Sequence, residues 1–169
     1  MVILGIDPGY AIVGWGVLEY AGNKFKVVDF GAVLTQAKTP FPLRLQQIYT
    51  ELGQILQKYK PEAVSMEKLF YNNNAKTVID VAQARGVITL AVQQAGVPLY
   101  EYTPLQLKQS VVGYGRAEKK QVQEMTRIIL GLDKVPKPDD TADALAIAIC
   151  HGHSSGSAIG NLYNVYNRR

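Results

Sequence analysis

Four acidic side chains stand where the sequence predicts that buried elements end or begin. Asp7 closes the first apolar run of the chain, and Glu67 closes a second, later one. Asp140 and Asp143 open an apolar helical segment, and at this spacing their side chains share one helix face about 5–6 Å apart. Carboxylates gathered at one point suit hard divalent cations such as Mg²⁺ or Mn²⁺. Two such ions about 3.5–4 Å apart polarise a phosphate, activate a water for in-line attack and stabilise the leaving oxygen.

Each acid also has a purely structural interpretation. Asp7 precedes a Pro-Gly pair and can open a turn by accepting backbone N–H groups. Asp139 or Asp140 can cap the helix that follows, and Asp143 is a favourable charge near the positive end of that helix. The joint arrangement favours a shared site, because ligands of open α/β sheets bind beyond the strand ends. Carboxylates that converge there repel one another unless cations lie between them.

The elements that would position these acids follow from the hydrophobic periodicity and from the proline and glycine residues. Alternating segments at 2–7, 11–20 and 24–34 predict an antiparallel meander of three strands. Beyond it, the periodicity predicts a helix that starts at Pro40 and Pro42 and stops before Pro61. The remaining predicted elements are a strand at 62–66, a helix at 75–95, a strand at 97–102, a short helix from Thr103, a helix at 117–130 and a helix from residue 139.

This order predicts an α/β fold. Three antiparallel strands come first, and two further strands follow, each joined by a right-handed helical crossover that makes it parallel to its neighbour. The result is a mixed five-stranded sheet with helices on both faces. In the first long helix, the three-four spacing of apolar residues leaves Arg44, Gln47, Glu51 and Lys58 for the solvent face.

Composition bounds the class of protein. The 169 residues fit one domain, and 47% hydrophobic with 19% charged residues is typical of a globular protein rather than a disordered one. The single cysteine, Cys150, excludes an internal disulfide, and a net charge of +4 permits a polyanionic partner. No segment has the pattern of a signal peptide or a membrane span, so a cytoplasmic protein is expected. We expect a domain over 1–153 and a polar tail, partly disordered, over 154–169.

Several short motifs resemble those of the RuvC Holliday-junction resolvases, a family of the ribonuclease H-like superfamily. The resemblance runs from residue 1 to about residue 153 with the order of the motifs intact. The motifs are ILGIDPG at 3–9 with GWG at 14–16, MEKLF at 66–70, AQARG at 82–86, VVGYG at 111–115, AEKKQV at 117–122 and DTADALA at 140–146.

The resemblance implies a ribonuclease H-like fold and a homodimer that binds a four-way DNA junction. Such an enzyme makes paired symmetric nicks that leave 5′-phosphate and 3′-hydroxyl ends, and it works with the branch-migration proteins RuvA and RuvB. By position, Asp7, Glu67, Asp140 and Asp143 correspond to the catalytic acids that bind the metal, two Mg²⁺ per site with Mn²⁺ as a substitute. Some members of the family have His where Asp140 stands.

Three further residues match positions that contact DNA in this family. Phe70 matches an aromatic residue that stacks on bases at the opened centre of the junction, a contact worth about 1–3 kcal/mol per base in general. Lys108 and Lys119 match basic residues near the active site, where they contact phosphate or stabilise developing negative charge. The structural alternatives are a core position for Phe70 and solvated helix faces for the two lysines.

Three other functions fit part of the sequence. Actin-like and sugar-kinase ATPases share the fold, but they need two such domains, and the chain has no duplicated Asp-Gly motif. A protein that binds junctions without cutting them would be indicated if one of the four acids were replaced. A nuclease of the same fold that acts on RNA–DNA hybrids has similar acids and differs in its preferred substrate.

Overall fold

The computed structural model describes residues 1–68 and 75–155 and contains every element that the sequence predicts for them. Over these residues no helix is long and apolar enough to cross a membrane. The elements are β1 (Val2–Asp7), β2 (Ile12–Ala21), β3 (Lys24–Leu34), α1 (Phe41–Tyr59), β4 (Ala63–Glu67), α2 (Ala75–Gln94), β5 (Leu99–Tyr102), α3 (Pro104–Val112), α4 (Lys119–Ile129) and α5 (Asp139–Ser155).

The five strands form one sheet in the order β3-β2-β1-β4-β5. The pairs β1–β2 and β2–β3 are antiparallel, whereas β1–β4 and β4–β5 are parallel, which confirms the predicted mixed sheet. Because β1 and β4 run in the same direction, their carboxyl ends meet at one edge of the sheet. Asp7 and Glu67 are the last residues of these two strands and therefore lie at that edge.

Helices cover both faces of the sheet, as the order of elements predicts. On one face, Leu4 and Ile6 of β1 belong to a core shared with α1 and α2. On the other face, Ile3 belongs to a second core, shared with α3, α4 and α5. Successive residues of β1 thus serve opposite cores, as the two-residue period of a strand requires.

Hydrogen-bonded caps determine where α3 and α4 begin. These two helices lie near the sheet edge that carries Asp7 and Glu67. Thr103, from which the sequence predicts this helix, caps α3, because its Oγ1 accepts a hydrogen bond from the Gln106 backbone N–H at 3.2 Å. Helix α4 begins at Lys119 rather than at residue 117, because Glu118 takes the cap position and its backbone N–H donates to the Gln121 side chain at 2.8 Å. These caps satisfy donors that the first helical turn leaves free.

Helix α5 crosses the sheet at glycines of β1 and β2. A Cβ atom placed on Gly14 would lie 2.0 Å from the backbone oxygen of Asp140, and one on Gly5 would lie 2.1 Å from that of Ala144. No side chain fits between helix and sheet at these points. The backbone of the first turn of α5, which carries Asp140, therefore packs directly against the backbone of β2 at Gly14.

The predicted solvent face of α1 was wrong at Arg44, which is only 7% exposed. Its Nε donates to Thr35 Oγ1 at 2.8 Å and its Nη2 to the Tyr10 carbonyl at 3.2 Å. The guanidinium also lies 4.7 Å from the centre of the Tyr10 ring. Periodicity treats every charged residue as exposed, but a planar guanidinium with fixed acceptors and an aromatic face beside it can be buried.

A buried ion pair joins α2 to β5. Arg85 contacts Glu101, whose side chain is only 4% exposed. An unpaired carboxylate at such a position would be costly to keep charged.

Replacing Arg85 with Met should lower the free energy of unfolding by about 3–5 kcal/mol, because it leaves the Glu101 charge buried without its partner. Urea unfolding followed by circular dichroism measures this loss. The double variant Arg85→Met with Glu101→Gln should recover part of the stability. Additive losses in the double variant would show that the two side chains contribute independently of each other.

The predicted division between domain and tail stays a prediction. Helix α5 continues through Ser155, two residues past the predicted boundary, and residues 156–169 lie outside the described residues.

Candidate active site

The four predicted acids come from three elements that meet at the carboxyl edge of the parallel strands. Ile6 of β1 pairs with Met66 of β4, which places Asp7 and Glu67 next to each other in register. Asp7 also pairs with Gly14, the residue on which the first turn of α5 rests. That turn brings in Asp140, and Asp143 follows one turn along the same helix.

These acids interact electrostatically. Burial, followed by the charges of Asp143, Glu67 and Asp140, raises the pKa of Asp7 from its ordinary value of 3.8 to about 8. Burial and the Asp143 charge also raise the pKa of Glu67, while Lys119 and other nearby positive charge act in the opposite direction. The cluster therefore carries more negative charge than its surroundings compensate.

Helix α4 supplies two donors to Asp143. Lys119 Nζ lies 2.7 Å from Oδ2, and the Gln123 side-chain amide donates to Oδ1 at 3.2 Å. Burial acts to lower the pKa of Lys119, but the hydrogen bond and the charge of Asp143 outweigh it, and the net direction is upward. Lys119 therefore stays protonated, with its ammonium group against the acid cluster.

A cavity of about 220 Å³ opens beside the acids, and both predicted lysines line it. Lys108 and Lys119 share its wall with Glu67 and Asp143, and Lys108 acts to lower the Glu67 pKa. The rest of the wall is formed by Pro104, Leu107, Val122 and Ile147. The predicted lysines are thus beside the acids, whereas Phe70 lies outside the described residues.

The donor chemistry of the cluster fits a divalent cation, although the side chains do not close around one as they stand. Among residues 1–68 and 75–155, no group of three or more His, Cys, Asp or Glu side chains is arranged to hold a metal ion. The ammonium group of Lys119 lies against Asp143 instead. Burial and then repulsion from the other three acids raise the Asp7 pKa even with Lys119 nearby, so the lysine compensates the negative charge only in part. Hard carboxylate oxygens are the ligands that Mg²⁺ and Mn²⁺ prefer.

The raised pKa predicts that Asp7→Asn stabilises the metal-free protein. The folded state holds the Asp7 proton more tightly than the unfolded state does, so this contribution is complete below about pH 4 and is lost as pH rises towards about 8. Asn carries no charge at any of these pH values. The variant should therefore gain on the order of 5 kcal/mol over the parent near pH 8 and little near pH 4.

Thermal unfolding in EDTA across this pH range measures the difference between variant and parent. Glu124→Gln is a suitable control, because Glu124 is exposed and pairs with Arg127 away from the cluster. A stability difference that does not change with pH would contradict the assigned Asp7 pKa.

Sequence reasoning missed Gln123, the buried residue that contacts Asp143. A signal was present in the sequence, because Gln123 stands one helical turn after Lys119 and next to Val122, an apolar residue of the predicted amphipathic helix. A polar side chain on the inward face of an amphipathic helix needs a partner in the core. The identity of that partner depends on which element the helix packs against.

Comparison with known proteins agrees with this geometry. The family model described as crossover junction endodeoxyribonuclease RuvC matches residues 3–151. A relative with the same description from Ruminiclostridium cellulolyticum is 55% identical over 163 residues, covering 95% of this chain and 98% of the relative. One from Clostridioides difficile is 59% identical over 155 residues, covering 92% of each.

A solved structure also matches over nearly the whole chain. The structure described as Thermus thermophilus RuvC in complex with Holliday junction substrate superposes with a TM-score of 0.86 at 34% sequence identity. The match covers 94% of this chain and 98% of that one. The fold, the family model and the high identity to curated relatives agree, and the chain belongs to the RuvC family of crossover junction endodeoxyribonucleases.

Proposed function

We propose that Asp7, Glu67, Asp140 and Asp143 hold two Mg²⁺ ions and that this site cuts the four-way DNA junction on which the family acts. The observation that carries the proposal is the joint placement of these acids at one sheet edge, from three separate elements, with lysines beside them. Mn²⁺ is the expected substitute, because it has a similar preference for oxygen ligands.

When bound, the divalent cations polarise the scissile phosphate and activate a water for in-line attack. The four acids hold and orient the cation site. Lys108 and Lys119 reach the same cavity and bind phosphate oxygens, where their charges stabilise the negative charge that develops in the transition state. A bond forms between the water oxygen and phosphorus and the bond to the 3′ oxygen breaks, which leaves a 5′-phosphate and a 3′-hydroxyl. Phe70 remains a proposed stacking residue on its resemblance alone.

A gel assay with a labelled four-way junction, a linear duplex and an RNA–DNA hybrid tests this function. The protein should bind the junction with or without a divalent cation and should cut it only when Mg²⁺ or Mn²⁺ is present. Tight binding without cutting at any metal concentration would favour a junction-binding protein. Preferential cutting of the hybrid would favour a ribonuclease of the same fold.

We also propose that the protein is a homodimer that pairs through the exposed face of α2. Ile79 is 64% exposed and Leu90 is 52% exposed, and Ala82 and Gly86 lie between them on the same face. Their spacing forms an apolar stripe along one side of the helix. A second copy of the chain would cover this stripe and place two active sites on one junction.

Replacing Ile79 with Glu should convert the dimer to a monomer, because it places a charge within an apolar interface. We expect the dimer dissociation constant to rise by about 100-fold or more, measured by light scattering over a concentration series. Ile128→Glu is the matched control, since Ile128 is 54% exposed but lies on α4. If both variants dissociate to the same extent, or if both remain dimeric, the interface is not the exposed face of α2.

Partnership with RuvA and RuvB and action in the cytoplasm are proposed from the family resemblance. Recruitment of the purified chain to a junction preloaded with RuvA, measured against the junction alone, tests the first of these.

A further inference from the structure

The Asp143 carboxylate is held from both sides by one helix. Lys119 contacts Oδ2 and Gln123 contacts Oδ1, and the two donors stand one turn apart on the same face of α4. Asp143 itself is on α5, so these contacts also join α4 to the helix that carries two of the four acids.

The two donors differ in burial. The side chain of Lys119 is 60% exposed, and its ammonium group can leave Asp143 for water or phosphate. Gln123 is only 6% exposed, so its amide would lose hydrogen bonding if it left Asp143. Gln123 is therefore the more permanent of the two contacts.

The two donors also differ in charge. The ammonium group of Lys119 cancels the carboxylate charge that attracts a cation. The neutral amide of Gln123 fixes the orientation of the carboxylate and leaves its charge intact. A side chain that orients a metal-binding carboxylate in this way typically contributes 10–100-fold to metal affinity or activity.

We propose that Gln123 is a positioning residue of the cation site. Its amide holds Asp143 through Oδ1, and Oδ2 becomes available to a divalent cation when the exposed ammonium group of Lys119 moves to water or phosphate. This inference rests on the proposed function in that it takes Asp143 as a ligand of the cation. It adds to that function a buried neutral residue that touches neither DNA nor cation.

Isothermal titration of Mn²⁺ into the full chain, without DNA, tests the proposal. Gln123→Met removes the donor and keeps the length of the side chain, and we expect about 10–100-fold weaker Mn²⁺ binding. In cleavage assays at saturating junction, kcat at a fixed low metal concentration should fall similarly, while KM for the junction stays within about threefold. Gln46→Met, at an exposed glutamine on α1, is the matched control and should bind Mn²⁺ like the parent.

A double-mutant cycle separates positioning from general packing. If Gln123 acts through Asp143, adding Gln123→Met to Asp143→Asn should weaken Mn²⁺ binding no further. An equal additional loss in that background, or parental Mn²⁺ affinity in Gln123→Met alone, would overturn the proposal. Should Gln123→Met fail to fold, Gln123→Asn shortens the amide by one methylene and is subject to the same expectations.

Metal affinity and junction cutting are measured separately, so the two proposals can fail separately. Mn²⁺ binding that depends on Gln123 in a chain that cuts no junction would leave the positioning role intact and remove the cleavage function. If the parent cuts junctions in a metal-dependent way and Gln123→Met binds Mn²⁺ as tightly as the parent does, the cleavage function stands and the positioning role of Gln123 is removed.

Discussion

Replacing Asp7 with Asn is expected to lower the rate of junction cleavage by about 10³-fold or more and to leave junction affinity within about threefold. Asp7 is the acid on which the charges of Asp143, Glu67 and Asp140 all act, so it lies at the electrostatic centre of the cluster. Asn keeps the size of the side chain but removes the charge that attracts a cation. Single-turnover cleavage and a gel-shift titration in EDTA measure the two quantities.

Glu124→Gln provides the comparison for this experiment, because it removes a carboxylate from the exposed side of α4. It should change neither cleavage nor binding. Cleavage by Asp7→Asn at a rate close to that of the parent, with full metal dependence, would remove Asp7 from the catalytic set.

Replacing Gly14 with Ala is expected to destabilise the protein by about 3 kcal/mol and to lower cleavage by about 100-fold. The new Cβ would lie 2.0 Å from the backbone oxygen of Asp140 and 2.3 Å from its carbonyl carbon. Backbone atoms cannot rotate away as a side chain can, so α5 has to move as a unit. Such a movement displaces Asp140 and Asp143 relative to Asp7. Urea unfolding and single-turnover cleavage measure the two effects.

The same substitution at Gly53 is the matched control. Gly53 lies within α1, and a Cβ there would meet no atom within 4 Å apart from its chain neighbours and the backbone of its own helix. Gly53→Ala should stabilise the protein by about 0.5–1 kcal/mol, because alanine restricts the unfolded chain more than glycine does. If Gly14→Ala is also neutral or stabilising, α5 is not set by its contact with β2.

Local patterns were enough to predict the elements and their order. Alternation identified the meander, and proline and glycine residues marked the ends of the helices. The errors concern side chains whose partners are distant in sequence. Arg44 was assigned to solvent because its acceptors, Thr35 and the Tyr10 carbonyl, belong to a different part of the chain. The buried pair of Arg85 and Glu101 has no local signal for the same reason.

The acids of the candidate site could be predicted because strand ends are fixed by topology. Once β1 and β4 are parallel neighbours, Asp7 and Glu67 must lie at the same edge. Lys108 and Lys119 were identified through family resemblance, and the structure places both beside the acids. The contact between Gln123 and Asp143 depends on how α4 is rotated against α5, which no pattern within either helix specifies.

Repulsion within the acid cluster has a practical consequence for directed evolution and for protein preparation. In chelating buffer the acids proposed to bind the cations hold the parent sequence below its attainable stability. A library selected there for heat resistance would be enriched in inactive variants at Asp7. Excess divalent cation opposes this bias, because each ligand at 100 times its dissociation constant adds about 2.7 kcal/mol to the folded state of a chain that keeps the site. Storage and selection in Mg²⁺ would therefore keep heat resistance and enzymatic competence together.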